Sequence, residues 1–152
     1  MQEANSTIHD FAVKFAEIRR ECECAIAQVG AVQMRRSLDG DVNSIADTMK
    51  HVGGNLCSRF TNFLTEDGEK AWRDREGEFI DDFPAGEAGR VAALAVWRDG
   101  WSVLETTLAS LTDDDLTTTS RRPSTFAESR TRSRARSPDR SRMWRTIKGR
   151  SR

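Results

Sequence analysis

The chain has 152 residues, with 24 Lys and Arg against 24 Asp and Glu, 37% hydrophobic residues, three Cys and no Tyr. That length holds one domain with one sizeable core; no apolar run reaches the ~20 residues of a membrane span, and Met1 to Asp10 lacks the basic-then-apolar order of a signal peptide. Cys22 and Cys24 sit two apart within an odd total, which fits neither a disulfide framework nor a zinc knuckle, so the reading is a soluble, cytoplasmic protein without a membrane partner.

In chain order, Ile8, Phe11, Phe15, Ile18, Cys22, Ala25 and Val29 recur every three or four residues and predict a first helix of roughly six turns, weakened at Gly30. Val32 to Leu38 adds a short turn, and Asp39-Gly40-Asp41 reads as a loop. Ser44 followed three residues later by Asp47 has the capping-box form, so a second helix starts there, with Ile45, Met49, Val52, Leu56, Phe60 and Phe63 as its apolar seam. Thr65 to Gly89 is a long connection, rich in Gly, Asp and Glu, broken by Pro84 and expected to be structured by Trp72 and Phe79. Its acidic group of Glu76, Glu78, Asp81 and Asp82 lacks the spacing of a calcium loop and reads as solvated. A third helix carries Leu94, Trp97, Trp101, Leu104, Leu108 and Leu111 and stops before Thr112. Three such seams with almost no strand alternation predict an all-α protein, an up-down helix bundle with antiparallel neighbours.

The second helix has a polar stripe beside its seam. Thr48, His51, Asn55 and Arg59 recur every three or four residues and would face a neighbouring helix or a cavity, with Trp97 and Trp101 lining it from the third helix. Gly53 and Gly54 lie within the helical pattern at about 1 kcal/mol each relative to Ala. Close helix packing beside His51 is the simpler account of them, and backbone room for a ligand the sharper one. No nucleophile elbow, phosphate-binding glycine loop or H-E-x-x-H pattern occurs.

The zero net charge averages two unlike pieces. Residues 1–120 carry 12 basic and 22 acidic side chains, and residues 121–152 carry 12 and 2. The second piece is Arg- and Ser-rich with few large apolar residues, cannot bury enough surface to offset about 1–2 kcal/mol of ordering cost per residue, and is read as disordered. Such a composition is what GC-rich coding sequence gives when read out of frame, and one expectation is a frameshift near Thr117 to Arg122 that replaced a last helix. Read functionally, the same segment would attract nucleic acid or another polyanion with steep salt dependence.

His51-Val-Gly-Gly-Asn55, Ser58-Arg59, Phe63-Leu-Thr-Glu-Asp-Gly-Glu69, Trp72-Arg73, Arg75, Glu78-Phe79, Trp97, Gly100-Trp101 and Asp115-Leu116 together resemble a domain-of-unknown-function branch of the DinB-like (YfiT/DinB) superfamily of bacterial four-helix bundles. The resemblance covers roughly residues 5–118. It implies a bundle whose centre holds a divalent metal, zinc or nickel, on one histidine of the second helix and a pair on the last, with metal-dependent thiol transfer in some branches. The first of these histidines matches His51; the pair has no match, since the other histidine of the chain is His9. A single ligand does not make the three-donor open site of a catalytic zinc. The expectation is an incomplete metal site without activity. The alternative is a non-enzymatic interaction module that completes its bundle as a homodimer and binds polyanions or RNA through residues 121–152.

Overall fold

The computed structural model describes residues 6–39 and 42–117. The segment read as disordered, 121–152, lies outside the described residues, as do Gly40 and Asp41 of the expected loop. Four helices are present among the described residues, α1 (Thr7–Ala27), α2 (Ala31–Met34), α3 (Ile45–Phe60) and α4 (Glu87–Ser110), with 3-10 turns at Gly77–Phe79 and Asp113–Thr117. The all-α class predicted from the seams is the one observed, and α2 is the short turn expected after Gly30. None of these helices is long and apolar enough to cross a membrane.

Helix starts follow side-chain chemistry. Ser6 caps α1 by accepting from the His9 amide. Ser44 and Asp47 form the predicted capping box at α3, each side chain accepting from the other residue's backbone N–H. The far end of the described chain reinforces α1: Asp113 accepts from Ser6 Oγ at 2.7 Å and from the Thr7 and Ile8 amides at 3.0 Å. A carboxylate there also suits the positive end of the helix dipole.

α4 is the element on which the others assemble. Its Ala93, Trp97, Trp101, Leu104 and Leu108 are buried together with Ile26, Met34, Met49 and Leu56. Trp101 meets Phe15 edge-on at 6.4 Å, and Trp97 lies 5.5 Å from Trp101. α1 runs antiparallel to α4, since Ser6 reaches Asp113 and Arg19 pairs with Glu105 while Glu23 and Ile26 lie beside Arg90 and Leu94. α3 instead runs parallel to α4: Gly53 packs at Val96 and Gly100, and farther along both helices Thr107 Oγ1 donates to the Phe60 carbonyl at 2.9 Å. Parallel neighbours need a connection that returns along the helix, and residues 61–86 supply it. At the crossing, a methyl group on Gly100 would stand 2.7 Å from Gly53 Cα, so the backbones approach closely because neither residue has a side chain.

The seams of α3 and α4 pack largely as read, although α3 ends at Phe60 and leaves Phe63 stacked on Phe60 from the turn that follows, 5.5 Å between rings. The α1 seam is rotated. Ile8, Ala12, Phe15, Cys22, Ile26 and Val29 take the inward positions, whereas Phe11 and Ile18 remain 48% and 40% exposed. The apolar stripe of α1 is therefore wider than the surface of α4 that it covers.

Candidate functional site

The polar face of α3 holds the returning connection. Lys50, His51, Gly54 and Ser58 lie on adjoining turns, and residues 73–83 pass over them. Lys50 Nζ donates to the carbonyls of Gly77 at 2.9 Å and Ile80 at 3.2 Å and pairs with Asp82 at 2.7 Å. One turn along, Glu78 turns inward and is 6% exposed. Its carboxylate meets α3 at Gly54, where any Cβ would collide with Oε1.

Two side chains satisfy that carboxylate. Arg73 donates through Nε to Oε1 at 2.8 Å and through Nη2 to Oε2 at 2.9 Å, the two-pronged geometry suited to guanidinium and carboxylate. His51 Nδ1 lies 2.8 Å from Oε2, and because an ionised carboxylate only accepts, Nδ1 is the donor. The third nitrogen of Arg73 donates to Ser58 Oγ at 3.0 Å, and the Ser58 hydroxyl donates to the Asn55 carbonyl at 3.1 Å. The imidazole stacks on Phe79, 4.7 Å between ring centres. Burial raises the Glu78 carboxyl pKa, but hydrogen bonds from Arg73 and His51 outweigh it and hold the group below its ordinary value. The same contact with Glu78 raises Arg73 against the opposing effect of burial.

The sequence-selected residues divide between this network and the core. His51 joins the network. Arg59 pairs with Glu69 at 3.2 Å on the surface, and Thr48 is exposed with its hydroxyl on the Ser44 carbonyl. Asn55 is half-buried and contributes its carbonyl. Trp97 and Trp101 lie in the core against each other. The stripe is thus covered at His51 by a loop rather than by a helix. The acidic group of the connection is not uniformly solvated: Glu78 is buried, Asp81 binds Arg35 at 2.9 Å, and Asp82 binds Lys50, leaving Glu76 outward. Lys50 carries no signal of its own in the sequence, and Ser58 and Arg73 enter only among the residues that carry the resemblance, without a role. The signal that pointed toward them was Gly54, whose missing side chain makes room for an oxygen.

A divalent ion of the kind the resemblance implies needs three or more donors converging on one point. Among the described residues, no three His, Cys, Asp or Glu side chains are gathered in that way. His51 meets one carboxylate, and Arg73 already engages both oxygens of that carboxylate. The residues present do not fit the metal. Two grooves, of about 310 and 220 Å³, open between α1 and α4, and no network residue lines either.

A sequence-family profile matches residues 2–135 of the chain. The chain is a member of the family described as protein of unknown function (DUF1572). The DUF1572 match takes in every described residue and continues past the change of composition at Ser120. No curated protein and no solved structure matches the chain.

Proposed function

We propose that this DUF1572 chain is a DinB-like helical bundle that has given up metal chemistry and acts through association. The histidine at the family's metal position holds the connection in place here. One observation carries this reading: His51 Nδ1 is committed to Glu78, a carboxylate that Arg73 occupies through both oxygens. A carboxylate behind a histidine commonly orients it toward a metal. In this chain no second and third donor meet its other nitrogen among the described residues. The arrangement suits a latch, in which one helix grips a loop through a satisfied ionic network.

Metal analysis of the purified full chain, with zinc and nickel added back during thermal unfolding, tests the proposal. It predicts less than stoichiometric metal and no rise in Tm with either ion. One equivalent of tightly held zinc or nickel, lost in His51→Ala, would overturn it.

The association half of the reading is supported by α1, where Phe11 and Ile18 lie two turns apart on one face, each about half exposed. In this reading two copies close that face as a homodimer, and residues 121–152 supply a basic arm for polyanions such as RNA. Sedimentation velocity at micromolar concentration is expected to show a dimer that Phe11→Ser with Ile18→Ser converts to monomer. RNA binding is expected to fall steeply with salt. RNA binding that persists after removal of residues 121–152 would contradict the role of the arm.

A further inference from the structure

The groove of about 220 Å³ between the end of α1 and the start of α4 is lined by Glu23, Ile26, Ala27, Arg90, Leu94 and Arg98. It is chemically unlike the rest of a body that carries ten more acidic than basic side chains over residues 1–120. Arg90, Leu94 and Arg98 are spaced four apart on α4, so two guanidinium groups flank a leucine on one helix face. Ile26 is 8% exposed and, with Ala27, forms an apolar wall opposite.

The guanidinium groups are incompletely satisfied. Arg90 Nη1 reaches Glu87 at 3.2 Å, but Arg90 Nε is buried with no hydrogen-bond partner. Arg98 is exposed and forms no ion pair with the described residues. Glu23 is the one carboxylate on the groove wall, and Arg19 Nε holds its Oε1 at 2.9 Å.

We infer that this groove binds a small organic carboxylate. Arg90, 24% exposed at the side chain, brings to the groove wall a guanidinium, the group whose donors best match a carboxylate. Arg98 supplies the second positive charge, and the apolar part of the ligand lies on Ile26, Ala27 and Leu94. The volume suits a single ring with its acid group, since a cavity of about 150 Å³ accepts benzene. The site lies apart from the His51 network and stands whether or not the reading of that network holds.

Benzoate titrated into the full chain at physiological ionic strength, followed by amide NMR, tests the inference. Saturable shifts are expected at Ala27, Leu94 and Arg98. Benzamide, the neutral isostere, is expected to bind at least about tenfold more weakly, as is benzoate to Arg90→Gln or Arg98→Gln variants that keep the wild-type spectral dispersion. Equal binding of benzoate and benzamide, unchanged affinity in the double variant, or shifts scattered over the surface would each overturn the site. Inorganic phosphate matching benzoate at the same amides would overturn the assignment to organic acids.

Discussion

The carboxylate of Glu78 rests on α3 at Gly54, where the bare backbone leaves room for an oxygen that any side chain would displace. This contact joins the returning connection to the helix. Arg73 and His51 then fix the oxygen atoms: the Arg73–Glu78 salt bridge, 5% and 8% exposed at the side chain, closes within the connection, and His51 and Ser58 tie it to α3.

Breaking one half of that pair leaves the other half charged and out of water. Glu78→Ala is therefore expected to lower the free energy of unfolding by about 3–5 kcal/mol, and Arg73→Met by a comparable amount. Arg73→Met combined with Glu78→Leu is expected to recover much of the loss, because no unpaired charge remains. Urea unfolding of the three variants checks this. Additive losses in the double variant would show that the ionic pairing is not what holds the connection.

Gly100 responds differently from an ordinary helix position. Replacing a helical Gly by Ala gains about 1 kcal/mol where space allows. At Gly100 the new methyl group meets the Gly53 backbone, which has no side chain that can move aside. Gly100→Ala is expected to be net destabilising by about 1–3 kcal/mol, the usual range for overpacking. A thermal unfolding midpoint equal to or above wild type would mean that the two helices do not cross here.

Acid stability follows from Glu78. Its carboxyl is held below the ordinary value of 4.5 in the folded state. Its contribution is fully present above the unfolded pKa and is lost as the pH falls through the lower folded pKa. Wild type is therefore expected to lose stability below about pH 4.5 more steeply than Glu78→Gln, with the two curves converging in acid. Parallel stability curves between pH 6 and 3 would remove Glu78 as the group responsible.

Asp113 closes the start of α1 with three hydrogen bonds, which hold its carboxyl below the ordinary value. Asp113→Ala is expected to speed hydrogen exchange at the Thr7 and Ile8 amides while leaving the Trp97 and Trp101 amides protected. Uniform loss of protection through α4 would show that this cap governs the whole fold rather than one helix end.

The local rules of the sequence reached the helices well. The capping box at Ser44 and Asp47 appears as written, and Trp97, Trp101, Leu104 and Leu108 form the core side of α4. The face of α1 was harder to read, because Phe11 and Ile18 have the same spacing as the buried set and only the placement of α4 decides between them. The parallel course of α3 and α4 is equally nonlocal, since periodicity carries no direction. At the network, His51 drew attention through its residue type and Gly54 through its cost. Their shared partner, Glu78, lies 27 residues from His51 in a stretch whose composition reads as solvated. Burial of that acid depends on Arg73, and no spacing rule couples two residues of an irregular connection.

What the imidazole of His51 holds is read from nitrogen NMR of that ring in the full chain, before and after one equivalent of zinc. A hydrogen on Nδ1 coupled to the Glu78 carboxylate, and a ring spectrum unchanged when zinc is added, are expected. A stoichiometric shift of Nε2 to a metal-bound position, abolished in His51→Ala, would contradict this.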